Sequence, residues 1–181
     1  MSGCWVFVCG PSGAGKDSVI ALARTALAQR SDVVFARRVI TRAAQRDSDH
    51  EPASDEEFQL LRRTGGLAWQ WQAHGFDYGI SVRYAHQVAW GRIVVVNGSR
   101  EHAQQLWLHP LVHCVLVSAP PAQLVARLQQ RGRDEPAAVA ARLARNQRLA
   151  PTEADFEIEN DGLPQAAGAA LCRHLEALAG P

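Results

Sequence analysis

Lysine is almost missing from this chain. The 181 residues hold 19 lysines and arginines, and Lys16 is the one lysine among them. No sign of charge dominates either. The formal net charge is +1, so no global basic field draws the protein to nucleic acid or to an acidic membrane surface. Long apolar runs are lacking too. Trp5–Val8 follows no cationic segment and is too short for a signal peptide or a membrane span. Cysteine is scarce: Cys4, Cys9, Cys114 and Cys172 show neither C-x-x-C nor metal-finger spacing. The first three lie in apolar, strand-like runs, where a reduced thiol behaves as a small core side chain. A cytoplasmic location is the expectation. No internal repeat and no low-complexity linker interrupts the chain, so residues 1–181 read as one domain.

What is present is ordered around the lysine. Trp5–Cys9 is a continuous apolar run, as in a strand buried on both faces of a parallel sheet. It leads into Gly10-Pro11-Ser12-Gly13-Ala14-Gly15-Lys16-Asp17-Ser18, and the periodicity predicts a helix from about Asp17 to Gln29. Strand, glycine loop and helix in that order form the context of a phosphate-binding P-loop. In such a loop the backbone N–H groups surround phosphate oxygens, and a compact ammonium bridges the β- and γ-phosphates. The chain is expected to bind a nucleoside triphosphate.

Val33–Ile40 reads as one extended segment and Arg42–Ala53 as a polar loop. Ser54-Asp55-Glu56-Glu57 has capping-box spacing and opens a helix to about Arg63. Leu67–Gln72 alternates, with Trp69 and Trp71 on one face, and Gly75–Ser81 crosses a turn. Residues 33–81 together suggest an insert with its own strands. Helices follow near Val82–Trp90, Ser99–His109, Pro120–Gln130, Pro136–Leu149 and Pro164–Leu178. Strands are expected at Ile93–Val96, Leu111–Val117 and Phe156–Glu159. This alternation implies an α/β P-loop fold in three layers with a central parallel sheet.

The arginines group as a phosphoryl-transfer enzyme requires, because such an enzyme works mainly by positioning and charge neutralisation. Arg37, Arg38, Arg42 and Arg46 flank the insert's first strand. Arg127, Arg131 and Arg133 cluster where one helix is interrupted, and Arg142, Arg145 and Arg148 recur every three residues on the next. Residues 127–145 read as an arginine-rich lid.

These motifs, with Thr41-Arg42 after a strand and the Tyr78-Gly79 turn, resemble guanylate kinase and related nucleoside monophosphate kinases. The closer resemblance is to the ribose 1,5-bisphosphate phosphokinases of bacterial phosphonate degradation. It rests on Gly10–Ser18, Arg38–Arg42, Asp55–Phe58, Trp71–Gly79, Val96–Arg100, Arg127–Arg133, Ala141–Arg145 and Asn160–Gly162. The Gly-Lys-Asp-Ser ending of the P-loop and Val-Asn-Gly-Ser-Arg are its most distinguishing pieces. Where a guanylate kinase has a guanine-contacting serine this chain has Arg38, and where it has a guanine-binding glutamate this chain has Trp69. A carboxylate is lost and a cation gained, which disfavours a base and favours a second phosphate.

The resemblance implies transfer from ATP to ribose 1,5-bisphosphate, giving 5-phosphoribosyl 1-diphosphate. The acceptor is already anionic, so no general base is required. Lys16 and the backbone of Ser12–Ser18 would hold ATP, with Mg²⁺ at Asp17 or Ser18; Asp17 also suits a helix N-terminus as a simple dipole partner. Arg38, Arg42, Arg46 and Tyr78 would hold the acceptor's phosphates, with Asn97 and Ser99 as further substrate contacts. Arg131 and Arg133 would close as the lid, supported by Arg142 and Arg145. Small molecules, ATP and a phosphorylated sugar, are the expected partners. The alternatives are a nucleoside monophosphate kinase and a non-catalytic interaction module of the same fold. His74 reads as a surface or core imidazole rather than a catalytic group, and Trp69 and Trp71 read as packing residues.

Overall fold

The computed structural model describes residues 3–43, 49–73, 75–130, 144, 146 and 153–180. Its centre is β1 (Cys4–Cys9), buried along its whole length. Trp5, Phe7 and Cys9 pack into one apolar cluster, while Cys4, Val6 and Val8 pack into the other. A strand needs apolar residues at every position only when both faces are covered. The covering elements are helices on one side and helices plus a second sheet on the other.

The main sheet has the order β2-β7-β1-β8-β9, with β2 Val33–Phe35, β7 Ile93–Asn97, β8 Val112–Ser118 and β9 Phe156–Glu159. All of its pairings are parallel. Helices α1 (Lys16–Ala26) and α6 (Pro164–Ala179) bury Val19, Ile20, Ala23, Ala167, Leu171 and Leu175 against one face. Helices α3 (Arg83–Ala89) and α4 (Arg100–Leu106) bury Tyr84, Val88, Ala103 and Leu106 on the other. Burying one such large side chain contributes roughly 1.5–3 kcal/mol. The three-layer α/β architecture read from the sequence is the one observed. Helix α5 (Pro121–Gln130) opens on a proline, where a missing N–H is no loss.

The second sheet has the order β4-β3-β6-β5, formed by β3 Arg38–Ile40, β4 His50–Pro52, β5 Leu67–Ala73 and β6 Phe76–Ser81. Helix α2 (Asp55–Arg63) lies between β4 and β5 in sequence and starts with the expected capping box. Glu57 N–H donates to Ser54 Oγ at 3.1 Å, and Ser54 N–H donates to Glu57 Oε2 at 2.7 Å.

Three expectations need correcting. Tyr78-Gly79 is not a turn, since both residues lie inside β6 and pair with Ile40 and Val39 of β3 and with Trp71 and Gln70 of β5. Val33–Ile40 is not one extended segment. Val33–Phe35 pairs with β7 in the main sheet, and Arg38–Ile40 pairs with β4 and β6 in the second. The chain changes sheets at Ala36–Arg37, where Arg37 N–H donates to the Tyr84 hydroxyl at 3.0 Å. Residues 42–53 are not all loop either, since β4 runs parallel to β3. Its polar sequence hides a strand made by main-chain pairing. His50 is nonetheless buried, with its Nε2 3.2 Å from the Arg42 carbonyl oxygen. The expected helix over Pro136–Leu149 lies outside the described residues, apart from residues 144 and 146.

Candidate active site

Because the main strands run parallel, their carboxyl ends gather at one edge, where ligands of open α/β sheets bind. Gly10 follows β1, and a Cβ there would lie 2.0 Å from the Val117 carbonyl oxygen, so only glycine fits. Pro11–Ala14 form a turn closed by Ala14 N–H donating to Pro11 O at 3.2 Å. Gly15 takes φ +86° and hands the chain to α1, whose N-terminal amides favour anions. The Lys16 ammonium folds back across the loop and donates to Gly10 O at 2.9 Å and Pro11 O at 3.1 Å. Burial pushes its pKa down to about 8; Asp17 and Cys9 oppose the shift, while Arg38 and Arg100 add to it.

Asp17 is exposed in the first turn of α1 and joins three elements. Asn97, at the end of β7, donates its Nδ2 to Asp17 Oδ1 at 2.6 Å. The Arg38 guanidinium on β3 stands 4.0 Å from the same oxygen. Asp17 and Ser18 offer hard oxygen donors beside the lysine, the chemistry Mg²⁺ prefers. Among the described residues no group of three or more His, Cys, Asp and Glu side chains could hold a metal alone. The donors therefore fit an ion held mostly by phosphate and water oxygens.

The arginines grouped by sequence divide into different duties. Arg38 is largely buried and lies over the Tyr78 ring at 5.7 Å, and burial lowers its pKa from the usual arginine range. Arg42 lies over Phe76 at 5.8 Å. Both rings belong to the same face of β6, so the two cations share one side of the second sheet. Arg37 instead is tied to Asp49 at 2.9 Å and to the His50 carbonyl at 3.0 Å. Arg127 braces the P-loop from behind. It donates to Gln123 Oε1 at 2.8 Å and to Asn160 O at 2.9 Å, while buried Asn160 donates its Nδ2 to Ala14 O at 2.8 Å. The Ser99 hydroxyl accepts from His102 N–H at 3.2 Å, which makes it the N-cap of α4. Arg46, Arg131, Arg133, Arg142, Arg145 and Arg148, with His74, lie outside the described residues.

Trp69 and Trp71 are packing residues. Trp71 stacks between Tyr78, at 5.5 Å and 12°, and His102, at 4.7 Å and 17°. Trp69 meets Trp5 and Phe7 edge-on, each at 5.7 Å. The platform under Arg38 is thus continuous with the core of the main sheet. Cys4, Cys9 and Cys114 are buried free thiols, and burial raises their pKa values, to about 11 for Cys9 and about 12 for Cys114.

Sequence reasoning missed Arg100, Asn146 and Asn160. Asn160 carried a readable signal, since it follows β9 as Asn97 ends β7, at the carboxyl edge. Asn146 carried none.

No family model matches the chain. A ribose 1,5-bisphosphate phosphokinase PhnN of Acidiphilium cryptum is 47% identical over 183 residues, 98% of each chain. The chain belongs to the ribose 1,5-bisphosphate phosphokinase family. A second member of this family, from Methylobacterium radiotolerans, is 38% identical over 184 residues, covering 98% of this chain and 99% of its own. In Azorhizobium caulinodans a bifunctional ribose 1,5-bisphosphokinase-thymidine phosphorylase is 40% identical over 169 residues, which are 91% of this chain but 24% of that protein. The fold is that of the guanylate kinase from Anaplasma phagocytophilum, with TM-score 0.68 at 18% identity, over 97% of this chain and 86% of that one. Residues of the phosphokinase P-loop, of β3 and of β6 therefore meet on a guanylate-kinase frame. Among the described residues no helix is long and apolar enough to cross a membrane.

Proposed function

We propose that the protein transfers the γ-phosphoryl group of ATP to the 1-phosphate of ribose 1,5-bisphosphate, giving ADP and 5-phosphoribosyl 1-diphosphate. The observation that carries this reading is Arg38. Its guanidinium points along a tyrosine face toward the Asp17 carboxylate next to the P-loop lysine. A largely buried cation there favours an acceptor that brings its own negative charge to the donor phosphates.

In the reaction an oxygen of the 1-phosphate attacks the γ-phosphorus, and the bond from that phosphorus to the β–γ bridging oxygen breaks. ADP leaves with the electron pair. The attacking oxygen is already ionised near neutral pH, so no side chain must take a proton. Lys16 and the amides of Gly13 and Gly15–Ser18 hold the donor, and Asp17 and Ser18 are the protein oxygens available to Mg²⁺, which supplies charge neutralisation when bound. Arg38, Arg42, Arg46 and Tyr78 hold the acceptor. Arg131 and Arg133 close over the transferred group, backed by Arg142 and Arg145, and exclude water that would hydrolyse ATP. Phosphonate degradation is the metabolic setting that the relatives' kinship supports.

The test is an ATP-dependent assay on ribose 1,5-bisphosphate and GMP in parallel, followed by ³¹P NMR. A diphosphate product from the sugar alone agrees with the proposal. Turnover of GMP alone overturns it and makes the protein a nucleotide kinase.

A further inference from the structure

Asn146 stands 134 residues from Ser12 in sequence, yet it pairs with both main-chain polar groups of that residue. Its Oδ1 accepts from Ser12 N–H at 3.1 Å, and its Nδ2 donates to Ser12 O at 3.2 Å. Arg100, the first residue of α4, donates to the same Oδ1 at 3.0 Å and approaches the Asn146 main-chain oxygen at 3.4 Å. We propose that Asn146 is a positioning residue for the P-loop, which fixes the backbone orientation of Ser12 and couples it to Arg100.

The geometry gives this contact a consequence for phosphate binding. In a trans peptide the C=O and the next N–H point in opposite directions. Holding Ser12 O on the Asn146 side therefore turns Gly13 N–H to the other side. The same logic applies two residues on, where Asn160 holds Ala14 O and so turns Gly15 N–H away from itself. Lys16 holds the neighbouring carbonyl of Pro11. Carbonyls of Pro11, Ser12 and Ala14 are thus each taken by a side chain, and the glycine amides between them are left oriented as a set. In this arrangement Ser12 N–H is committed to Asn146 and Ala14 N–H to Pro11 O, which leaves the amides of Gly13 and Gly15–Ser18 for phosphate. Asn146 also directly follows Arg145 in sequence. Arg100 lies close enough to Lys16 to help lower its pKa. The pair therefore links Asn146, the start of α4 and the donor loop.

The inference rests on the reading that this loop binds nucleotide phosphates. The test therefore measures binding of MgATP and of inorganic tripolyphosphate by calorimetry, with no acceptor present. Asn146→Ala removes two hydrogen bonds that set the loop, so both ligands weaken by roughly ten- to thirtyfold. In steady state KM for ATP rises by a similar factor, while KM for the acceptor holds. Asn146→Asp keeps the acceptor oxygen for Ser12 N–H and Arg100 but sets a carboxylate against Ser12 O, so it binds more weakly than the alanine variant. Arg100→Met weakens binding in the wild-type background and adds little to Asn146→Ala, because the two act as one unit. Folded Asn146→Ala that binds both ligands within about twofold of wild type, or effects of the two substitutions that simply add, overturns the proposal. If Asn146→Ala fails to fold, the comparison of Asn146→Asp with Arg100→Met carries the same test. Wild-type protein that binds neither ligand overturns the nucleotide reading itself.

Discussion

Gly15→Ala tests whether the P-loop is fixed by the packing described above. Gly15 has φ +86°, and a Cβ there would sit 2.5 Å from Asn160 Nδ2. Asn160 is 2% exposed and has little freedom to yield. Its Nδ2 is bonded to Ala14 O at 2.8 Å, and its own carbonyl accepts from Arg127 at 2.9 Å. Left-handed backbone costs an L-residue about 1–2 kcal/mol. Overpacking a well-filled site adds about 1–3 kcal/mol. The total, about 2–5 kcal/mol, is serious against a typical stability of about 5–15 kcal/mol but leaves a folded protein. For a chain of this size it lowers Tm by roughly 5–15 °C. Thermal unfolding of the nucleotide-free protein reads this directly, and MgATP binding should fall with it because the first amides of α1 move. Gly162→Ala is the control, since a Cβ at Gly162 meets nothing within 4 Å. Gly15→Ala melting within about 2 °C of wild type with normal MgATP affinity would refute the reasoning.

Three further outcomes are expected. Arg38→Ala should lower kcat/KM for the acceptor by roughly a hundredfold with little change in MgATP affinity, the size of loss typical of a buried charge-assisted contact; equal losses for both substrates would remove Arg38 from the acceptor side. The Lys16 pKa of about 8 lies below its ordinary 10.5. The ammonium is therefore lost as pH rises through about 8, and MgATP affinity, measured from pH 7 to 9.5, should fall; a flat profile contradicts the shift. Between about 8 and 10.5 the unfolded chain holds more protons at this site than the folded one, so Lys16's contribution to free-protein stability rises across that window. His102 is buried, and burial pushes its pKa down to about 4 from 6.5. The unfolded chain takes up this proton first, so stability should drop as pH falls from 6.5 to 4, and His102→Phe should flatten that part of the denaturation profile.

The scaffold was legible in the sequence wherever side-chain chemistry and local spacing decide the outcome. An all-apolar strand, a glycine loop and an amphipathic helix can be arranged in few ways, and Ser54 and Glu57 cap their helix using neighbours alone. β4 was not legible because main-chain pairing to β3 holds it, and His-Glu-Pro carries no alternation. The switch of sheets after Ala36 was hidden because Val33–Phe35 and Arg38–Ile40 read as one extended run, and only their pairing partners separate them. Within the site, Lys16 and Arg38 could be read from type and position. Arg37 could not be told from Arg38, because only the fold shows that Asp49 takes one and leaves the other beside Asp17. Ser99 was read as a substrate contact, and the fold adds a duty that its sequence did not show: its hydroxyl caps α4. Asn146 was invisible because its partner lies 134 residues away; the position of Asn160 after β9 was readable, but not its bond to Ala14, 146 residues away.

The lone lysine now has a structural reason beyond motif. The ammonium reaches two carbonyls of its own loop, at 2.9 and 3.1 Å, and so closes the loop without a ligand. A planar guanidinium fans its donors out in a rigid fork and cannot replace that compact contact. The charge environment points the same way. Arg38 and Arg100 both push down the pKa of Lys16, with Asp17 in opposition, so several cations converge on one edge of the sheet. Arginine stays charged there whatever its surroundings, but lysine can shed its proton as burial and like charges accumulate. A polyphosphate reverses both effects by supplying negative charge at the loop, which restores the ammonium where it is needed. Lysine at this position and arginine at every other basic one thus reflect a division of duty: one cation answers to the ligand, and the rest hold a fixed field.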